Sequence, residues 1–165
     1  MDWIAGLAGP MGIDARTWWT AVGSALAIGL LLGAIPVGAT EAIALAAGAL
    51  PNPLRGGVIV ALTAGHVAGK VLWYWFGTLG SRVRQPRLRT WIERAQAVAD
   101  RHPKVGLGVT TMSAVASVPP FHLIAVAAGI VRTPPAAFFA VAFAGRLVRF
   151  SALAAFPSLL RYLYT

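Results

Sequence analysis

The chain has 165 residues, of which 58% are apolar and 12% are charged, and its mean hydropathy is +0.71. Soluble domains carry roughly 25% charged residues, so this composition excludes an ordinary soluble protein and predicts a single integral membrane domain over residues 1–165. The chain has no cysteine, which excludes disulfides, and its net charge of +9 favours anionic lipid headgroups over nucleic acid because no soluble basic domain accompanies it.

The first long apolar stretch is interrupted by a proline and a glycine. Residues 21–35 form a mainly apolar run of 15 residues, shorter than the ~20 residues that cross a bilayer as a helix. This run either spans with the help of the two preceding tryptophans or forms one arm of a re-entrant hairpin. Pro36 and Gly38 break the helix, which is expected to resume at Glu41 and to end near Pro53.

Glu41 is a candidate functional residue because it lies within apolar sequence just after this break. A charged side chain inside a membrane is costly, and such residues usually serve a function. We therefore predict that Glu41 carries protons. The alternative is that Glu41 caps the resumed helix and pairs with a buried cation.

Residues 57–79 are expected to form the first clear spanning helix. His66 and Lys70 lie inside this segment and are four residues apart, so they share one face of the helix. Both are candidate substrate-binding residues. As alternatives, Lys70 can extend along the helix to the membrane surface, and His66 can be a hydrogen-bonded core residue.

A basic segment, residues 81–104, separates the two apolar halves. It contains seven arginine or lysine residues and two acidic residues, and the preference of such segments for the cytoplasmic side predicts a cytoplasmic location. Its apolar residues recur at helical spacing, which predicts an amphipathic helix lying on the anionic inner leaflet. A soluble linker helix is the alternative.

The second half of the chain repeats the order of the first. The apolar run 105–118 is too short to span comfortably, and Pro119 and Pro120 break it before the helix resumes. His122 follows this break as Glu41 follows the first one, so His122 is a candidate titrating residue.

The second clear spanning helix is predicted over residues 136–156 and carries two arginines. Arg146 and Arg149 are three residues apart and so share one face. A guanidinium stays protonated, and its planar fork matches the oxygens of a phosphate. The pair is predicted to bind a phosphate or a carboxylate. As alternatives, one of the two neutralises Glu41, or Arg149 reaches the membrane surface.

A short internal repeat relates the two halves. The segment 43–48 recurs 81 positions later as 124–129 with five of six residues identical, and chance similarity between alanine-rich segments is the alternative. We predict one repeat over about 17–80 and a second over about 105–160. Because the basic segment fixes the direction of the helices beside it, the copies are expected to be antiparallel. The result is an all-α inverted repeat of two re-entrant hairpins, each followed by a spanning helix.

Several catalytic signatures are absent from the sequence. Three scattered histidines without cysteine make no metal-ligand cluster. Neither a glycine-rich nucleotide loop nor a G-x-S-x-G motif occurs. We therefore expect a protein that is not an enzyme and that uses no metal or cofactor.

Four motifs together carry a family resemblance: P-x-G-x-[TS]-E at 36–41, A-G-A-L-P-x-P at 47–53, S-x-V-P-P-F…A-A-G at 117–129 and G-[RK]-x-x-R-[FY] at 145–150. With them the chain resembles the DedA/VTT (SNARE-associated) membrane family, and in particular its small YqaA-like branch. The resemblance implies two opposed re-entrant hairpins and the movement of lipids, notably undecaprenyl phosphate, with proton dependence.

The resemblance also implies roles for individual residues. Glu41 stands at the place of the family's first-hairpin acid, and Arg146 and Arg149 stand at the place of its terminal basic pair. The chain departs from the family pattern at its second hairpin, where no arginine occurs and where His122 replaces an acid of related small members. These departures leave the identity of the substrate open.

We therefore predict a multi-pass protein of the bacterial inner membrane that transports an anionic lipid, foremost a polyprenyl phosphate, with coupling to protons. The alternatives are a proton- or cation-linked transporter of a small solute and a non-transporting protein that maintains the envelope. A homodimer is expected because so few helices hardly shield two hairpins from lipid. The predicted substrate-binding residues are Glu41, His66, Lys70, His122, Arg146 and Arg149, with hairpin breaks at Pro36, Gly38, Pro119 and Pro120.

Overall fold

A computed structural model of the chain describes residues 13–35, 38–80 and 86–164, and this part of the chain is helical without strands. The predicted all-α class is confirmed. Its helices, in chain order, are α1 (Ala15–Ala34), α2 (Ala39–Ala46, continued by a 3-10 turn at Ala47–Ala49), α3 (Asn52–Gly80), α4 (Pro86–Arg101), α5 (Pro103–Ala116), α6 (Phe121–Ile130) and α7 (Pro135–Tyr164).

The ends of the helices follow from local sequence. Asp14 caps α1, because its carboxylate accepts a hydrogen bond from the backbone N–H of Thr17 at 3.0 Å. The hydroxyl of Thr17 also donates to this carboxylate, and this side-chain bond is the main cause that lowers the pKa of Asp14. Prolines open α4, α5 and α7, since a first-turn residue has no helical acceptor for the N–H that proline lacks.

Both predicted breaks fall between helices. Ser117 takes a left-handed φ of 60° after α5, and the chain re-enters a helix only after Pro119 and Pro120. Gly38 is the N-cap of α2, whereas Pro36 lies outside the described residues. The structure therefore interrupts each apolar half where the sequence predicted an interruption.

Some predicted helix bounds are wrong. The helix expected from residue 57 begins at Asn52, so Pro53 lies in the first turn of α3 instead of closing the helix before it. A proline is tolerated in this turn for the same reason that it opens the other helices. At the other end of the chain, α7 continues through Pro157 to Tyr164, beyond its predicted end at residue 156.

Within residues 13–35, 38–80 and 86–164, three helices are long and apolar enough to cross a membrane, namely Ala15–Ala34, Asn52–Gly80 and Pro135–Pro157. At 1.5 Å per residue the 20 residues of α1 extend about 30 Å, which matches the hydrocarbon thickness of a bilayer. By length and composition, α1 is therefore able to span. The apolar α2 and α6 are too short to cross alone.

Glycines allow α1 and α3 to pack at backbone distance. A side chain at Gly33 would overlap the backbone carbonyl of His66, and one at Gly65 would overlap the carbonyl of Leu26. Small residues at such contacts let membrane helices approach closely. The end of α1 therefore lies directly beside the middle of α3, where His66 and Lys70 are located.

The short helix of each half packs on the long helix of the other half: α2 packs on α7, and α6 packs on α3. Gly48 of the 3-10 turn faces the carbonyl of Ala154, and Gly129 of α6 faces the carbonyl of Tyr74. The two glycines are 81 positions apart, and their two partners are 80 positions apart. The repeat in the sequence thus coincides with a contact that the structure makes twice.

The apolar interior has two parts. One surrounds Leu62 and Phe150, and the other surrounds Phe121 and Phe138. The helix predicted in the basic segment is α4, which a hydrogen bond from Gln96 ties to the end of α6.

Candidate functional site

One cavity gathers most of the predicted site residues. It has a volume of about 190 Å³ and is lined by side chains from both halves of the chain. Five of the six predicted substrate-binding residues line it, and Arg149 reaches the same carboxylate from just outside the lining. The lining residues are Ile35, Gly38, Glu41, His66, Lys70, Ser117, Pro120, Phe121, His122 and Arg146.

Glu41 meets the two arginines because α2 packs on α7. It lies in the first turn of α2, where the positive end of the helix dipole favours a carboxylate. Its Oε1 is 3.4 Å from Arg146 Nη1 and 3.5 Å from Arg149 Nε. The alternative in which Glu41 pairs with a buried cation is thus the arrangement that the structure contains.

Arg146 is the most enclosed member of this group. Its side chain is 4% exposed, and Nη1 also donates a hydrogen bond to Ser117 Oγ at 3.1 Å. The guanidinium carbon lies 4.7 Å from the centre of the Phe121 ring, a cation–π distance. Its Nε is buried without a hydrogen-bond partner, so its protein neighbours do not use the full hydrogen-bonding capacity of the guanidinium.

Arg149 contacts both the end of α5 and the carboxylate of Glu41. Its Nη1 donates to the carbonyl of Val115 at 2.8 Å, in the last turn of α5. The C-terminal end of a helix carries unpaired carbonyls and a partial negative charge, so a cation is stabilised there. Its Nε is within ion-pair distance of Glu41 but makes no hydrogen bond.

Lys70 binds a carbonyl at the end of α1, as Arg149 does at the end of α5. It is 3% exposed, and its Nζ donates to the carbonyl of Gly33 at 2.8 Å. Trp73 Nε1 donates to the neighbouring carbonyl of Ala34 at 3.0 Å. The Lys70 ammonium group is therefore enclosed by protein at the end of α1.

The two histidines differ in their surroundings. His66 is 5% exposed, with Nδ1 3.2 Å from Thr40 Oγ1 and Nε2 buried without a hydrogen-bond partner. His122 is half-buried, and its ring centre lies 5.7 Å from that of Trp73. Both line the cavity, so the structure brings them together although the sequence places them in different halves.

The charges around the cavity are unbalanced. Among the described residues at this site, Lys70, Arg146 and Arg149 carry positive charge, and Glu41 carries the negative one. The formal excess is two positive charges. Buried charge without a counter-charge is costly, so this arrangement favours the entry of an anion.

Sequence reasoning missed the partners of the site residues. Thr40 binds His66, Ser117 binds Arg146 and Trp73 lies against His122. Thr40 and Ser117 each lie in a motif that the sequence offers, next to a helix break, and this position was the available signal. The carbonyl partners of Lys70 and Arg149 have no signal in the sequence, because every residue carries one.

The described residues contain no group of three or more histidine, cysteine or acidic side chains that could hold a metal ion.

In comparisons with known proteins, a family model described as the VTT domain matches residues 35–159. Searches of curated proteins and of solved structures gave no match. The matched range begins at the end of α1 and includes every lining residue of the cavity.

Proposed function

The chain belongs to the VTT-domain family of DedA or SNARE-associated membrane proteins, and from this premise we propose that it transports a lipid with an anionic phosphate headgroup across the membrane. The favoured substrate is a polyprenyl phosphate such as undecaprenyl phosphate. The headgroup would enter the cavity while the apolar tail remains in the bilayer. In this proposal the protein is a carrier and not an enzyme.

The observation that carries the proposal is the excess of positive charge in a cavity between apolar helices. Lys70 and Arg146 line it together with Glu41, and Arg149 lies 3.5 Å from the same carboxylate. The Nε atoms of both arginines are buried without a hydrogen-bond partner. Guanidinium groups bind phosphate oxygens through paired hydrogen bonds. A cation bound at Glu41 is disfavoured because two arginines already lie within 3.5 Å of that carboxylate.

Glu41 supplies a route to proton coupling. Its carboxylate occupies the arginines in the structure, so an arriving phosphate competes with it for the same donors. A displaced carboxylate inside apolar surroundings is stabilised by taking up a proton. Entry of the anion would then be linked to uptake of one proton at Glu41, and return of Glu41 to the arginines would release both.

The internal repeat supports an alternating cycle. Gly48 against Ala154 and Gly129 against Tyr74 are equivalent contacts made by the short helices of the two halves. In transporters built from inverted repeats, interrupted helices surround a site near the middle of the membrane and the two halves rock about it. We propose that α1–α2 and α5–α6 are the two hairpins of such a repeat.

The proposal also covers the membrane in which the protein is located and its oligomeric state. Helices of spanning length and the family assignment make this a membrane protein, and the bacterial inner membrane is the location we propose. A homodimer is proposed because the spanning window of α1 is only 17% buried within one chain. Cross-linking in native membranes tests the dimer.

The decisive experiment is a transport assay in liposomes. Purified protein is reconstituted with a fluorescent polyprenyl phosphate, and its movement between leaflets is followed by quenching from outside. Movement that the double change R146A/R149A abolishes, but that Arg89→Ala leaves intact, supports the proposal. Arg89 is a suitable control because it lies exposed on α4 in a pair with Glu93.

Two other results would redirect the assignment. No lipid movement by folded, inserted protein overturns the lipid substrate. Flux of a soluble anion through the same liposomes, lost in the double variant, would then favour a small-solute transporter using the same arginines. Absence of both fluxes would leave the non-transporting membrane role.

A further inference from the structure

A second recess lies outside the charged cavity, between α4 on one side and α5 and α6 on the other. It has a volume of about 230 Å³ and walls that are mainly alanine, valine and isoleucine. The residues that face one another across it are Ala95, Val98 and Ala99 from α4 and Val105, Val109 and Ile124 from α5 and α6. None of these residues belongs to the proposed transport site.

The recess is open because α4 stands away from its neighbours. A hydrogen bond from Gln96 Nε2 to the carbonyl of Ile130 at 2.8 Å ties α4 to the end of α6. The apolar side chains of Val98 and Val105 remain 60% and 63% exposed. They line the recess without closing it.

A recess with apolar walls is stabilised neither by remaining empty nor by holding water. An empty apolar space forfeits the dispersion contacts of its walls, and a bound water needs about two to four polar partners. The polar residues of the lining are His102, Thr110 and Thr133, and the buried hydroxyl of Thr110 already donates to the carbonyl of Gly106. An apolar chain is therefore the occupant that suits the walls, and in a membrane protein lipid supplies such chains.

The charged residues near the recess are mainly basic. An adjoining cavity of about 290 Å³ shares Ala99, Gly106, Val131 and Thr133 with the recess and adds Asp100 and Arg132. Residues 86–104 beside it carry five basic and two acidic side chains. A surface of this charge attracts anionic headgroups.

We propose that this recess binds one acyl chain of an anionic phospholipid from the surrounding leaflet, with the headgroup next to Arg132. The bound lipid would act as a wedge that completes the packing of α4 against α5 and α6. This site is separate from the charged cavity. It stands whether or not the protein transports lipid.

Two glycines of α5 offer a matched test. Gly106 lines both cavities, and an added Cβ there meets no heavy atom within 4 Å, so Gly106→Phe fills the recess without a clash at Cβ. Gly108 is equally open for a Cβ and lines neither cavity, so Gly108→Phe is the control. Full-length protein is reconstituted in nanodiscs with equal amounts of phosphatidylglycerol and phosphatidylcholine, and retained lipid is counted by native mass spectrometry.

We expect wild-type protein and Gly108→Phe to retain one phosphatidylglycerol. Gly106→Phe should lower retention about tenfold, the change expected for about two buried methylenes lost. Arg132→Asn should reduce the preference for phosphatidylglycerol over phosphatidylcholine, because asparagine accepts the left-handed φ of 56° without the charge. Equal retention by both phenylalanine variants, equal loss in both, or no retention by the wild type would overturn the proposal.

A second measurement does not depend on the phenylalanine variant folding. The chain has no cysteine, so Val98→Cys accepts a single bimane label that faces the recess. Phosphatidylglycerol with brominated acyl chains should quench this label more strongly than brominated phosphatidylcholine at the same content. Equal quenching by the two lipids would contradict a site selective for anionic lipid, and binding of a protein helix in the recess would prevent quenching by both.

Discussion

Glu41 and Arg146 are 105 positions apart in the sequence, yet Oε1 of the first lies 3.4 Å from Nη1 of the second. Neither half of the chain contains this pair alone, because it forms where α2 crosses to α7. The carboxylate and the guanidinium occupy the wall of the same cavity. An anion that takes the Nη1 donor of Arg146 must therefore displace a carboxylate that belongs to the protein.

Glu41→Gln should separate binding from turnover. The amide removes the charge that competes for Arg146 and Arg149, so we expect a short-chain prenyl phosphate to bind about tenfold more tightly. Transport should lose its pH dependence, since no carboxylate remains to take up the proton. Binding is measured by titration calorimetry and transport by the liposome assay.

The control for this change is Glu93→Gln, because Glu93 is exposed on α4 and lies outside the cavity. It should leave binding and pH dependence as they are. Weaker binding in Glu41→Gln would contradict the view that the carboxylate competes with the substrate.

Lys70→Met should loosen the end of α1. The change removes the charged hydrogen bond to Gly33 and leaves a buried carbonyl without that donor, at a cost of about 1.5–3 kcal/mol in the free energy of unfolding. Hydrogen exchange should increase over the last turn of α1 and not over α5. If exchange there is unchanged, Lys70 does not cap the helix.

Arg149→Lys should preserve charge but lose geometry. One guanidinium reaches both Val115 and Glu41, and a lysine ammonium lacks the fork that serves two separated acceptors. We expect slower lipid movement and faster hydrogen exchange at the end of α5. Arg89→Lys is the exposed control, and indistinguishable behaviour of the two variants would remove Arg149 from the site.

The repeated glycine contact predicts two matching losses of stability. Gly48→Ala and Gly129→Ala each place a methyl group against a backbone carbonyl, at Ala154 and Tyr74 respectively. Overpacking of this kind costs about 1–3 kcal/mol. Gly23→Ala meets no atom within 4 Å and serves as the control. Thermal unfolding in detergent measures all three, and a loss in one of the two contacts alone would show that they are not equivalent.

Much of the architecture was predictable because proline, glycine and charge act locally. The break at Pro119 and Pro120, the helical basic segment and the sharing of a face by Arg146 and Arg149 all follow from spacing along the chain. The confirmed family assignment rests on motifs of the same kind. The meeting of Glu41 with Arg146 was offered only as one of several possibilities, because helical periodicity carries no information about which helices cross.

The bounds of α3 and the acceptors of the cations were beyond sequence reasoning. Pro53 was read as an end because proline both opens helices and stops them, and the choice depends on which neighbour α3 packs against. Lys70 and Arg149 were predicted to bind substrate, yet their hydrogen bonds go to carbonyls in the last turns of α1 and α5. Those acceptors exist in every residue, so only three-dimensional position selects them.

The packing of each short helix on the long helix of the other half has a consequence for synthesis of the protein in the cell. Glu41 leaves the ribosome 105 residues before Arg146, which at about 5–20 residues per second is a delay of roughly 5–20 seconds. During that interval α2 has no α7 to pack against, and its carboxylate has no guanidinium. The pair between Glu41 and Arg146 therefore forms only after α7 has been made, and the order of synthesis makes α7 the segment that closes the fold.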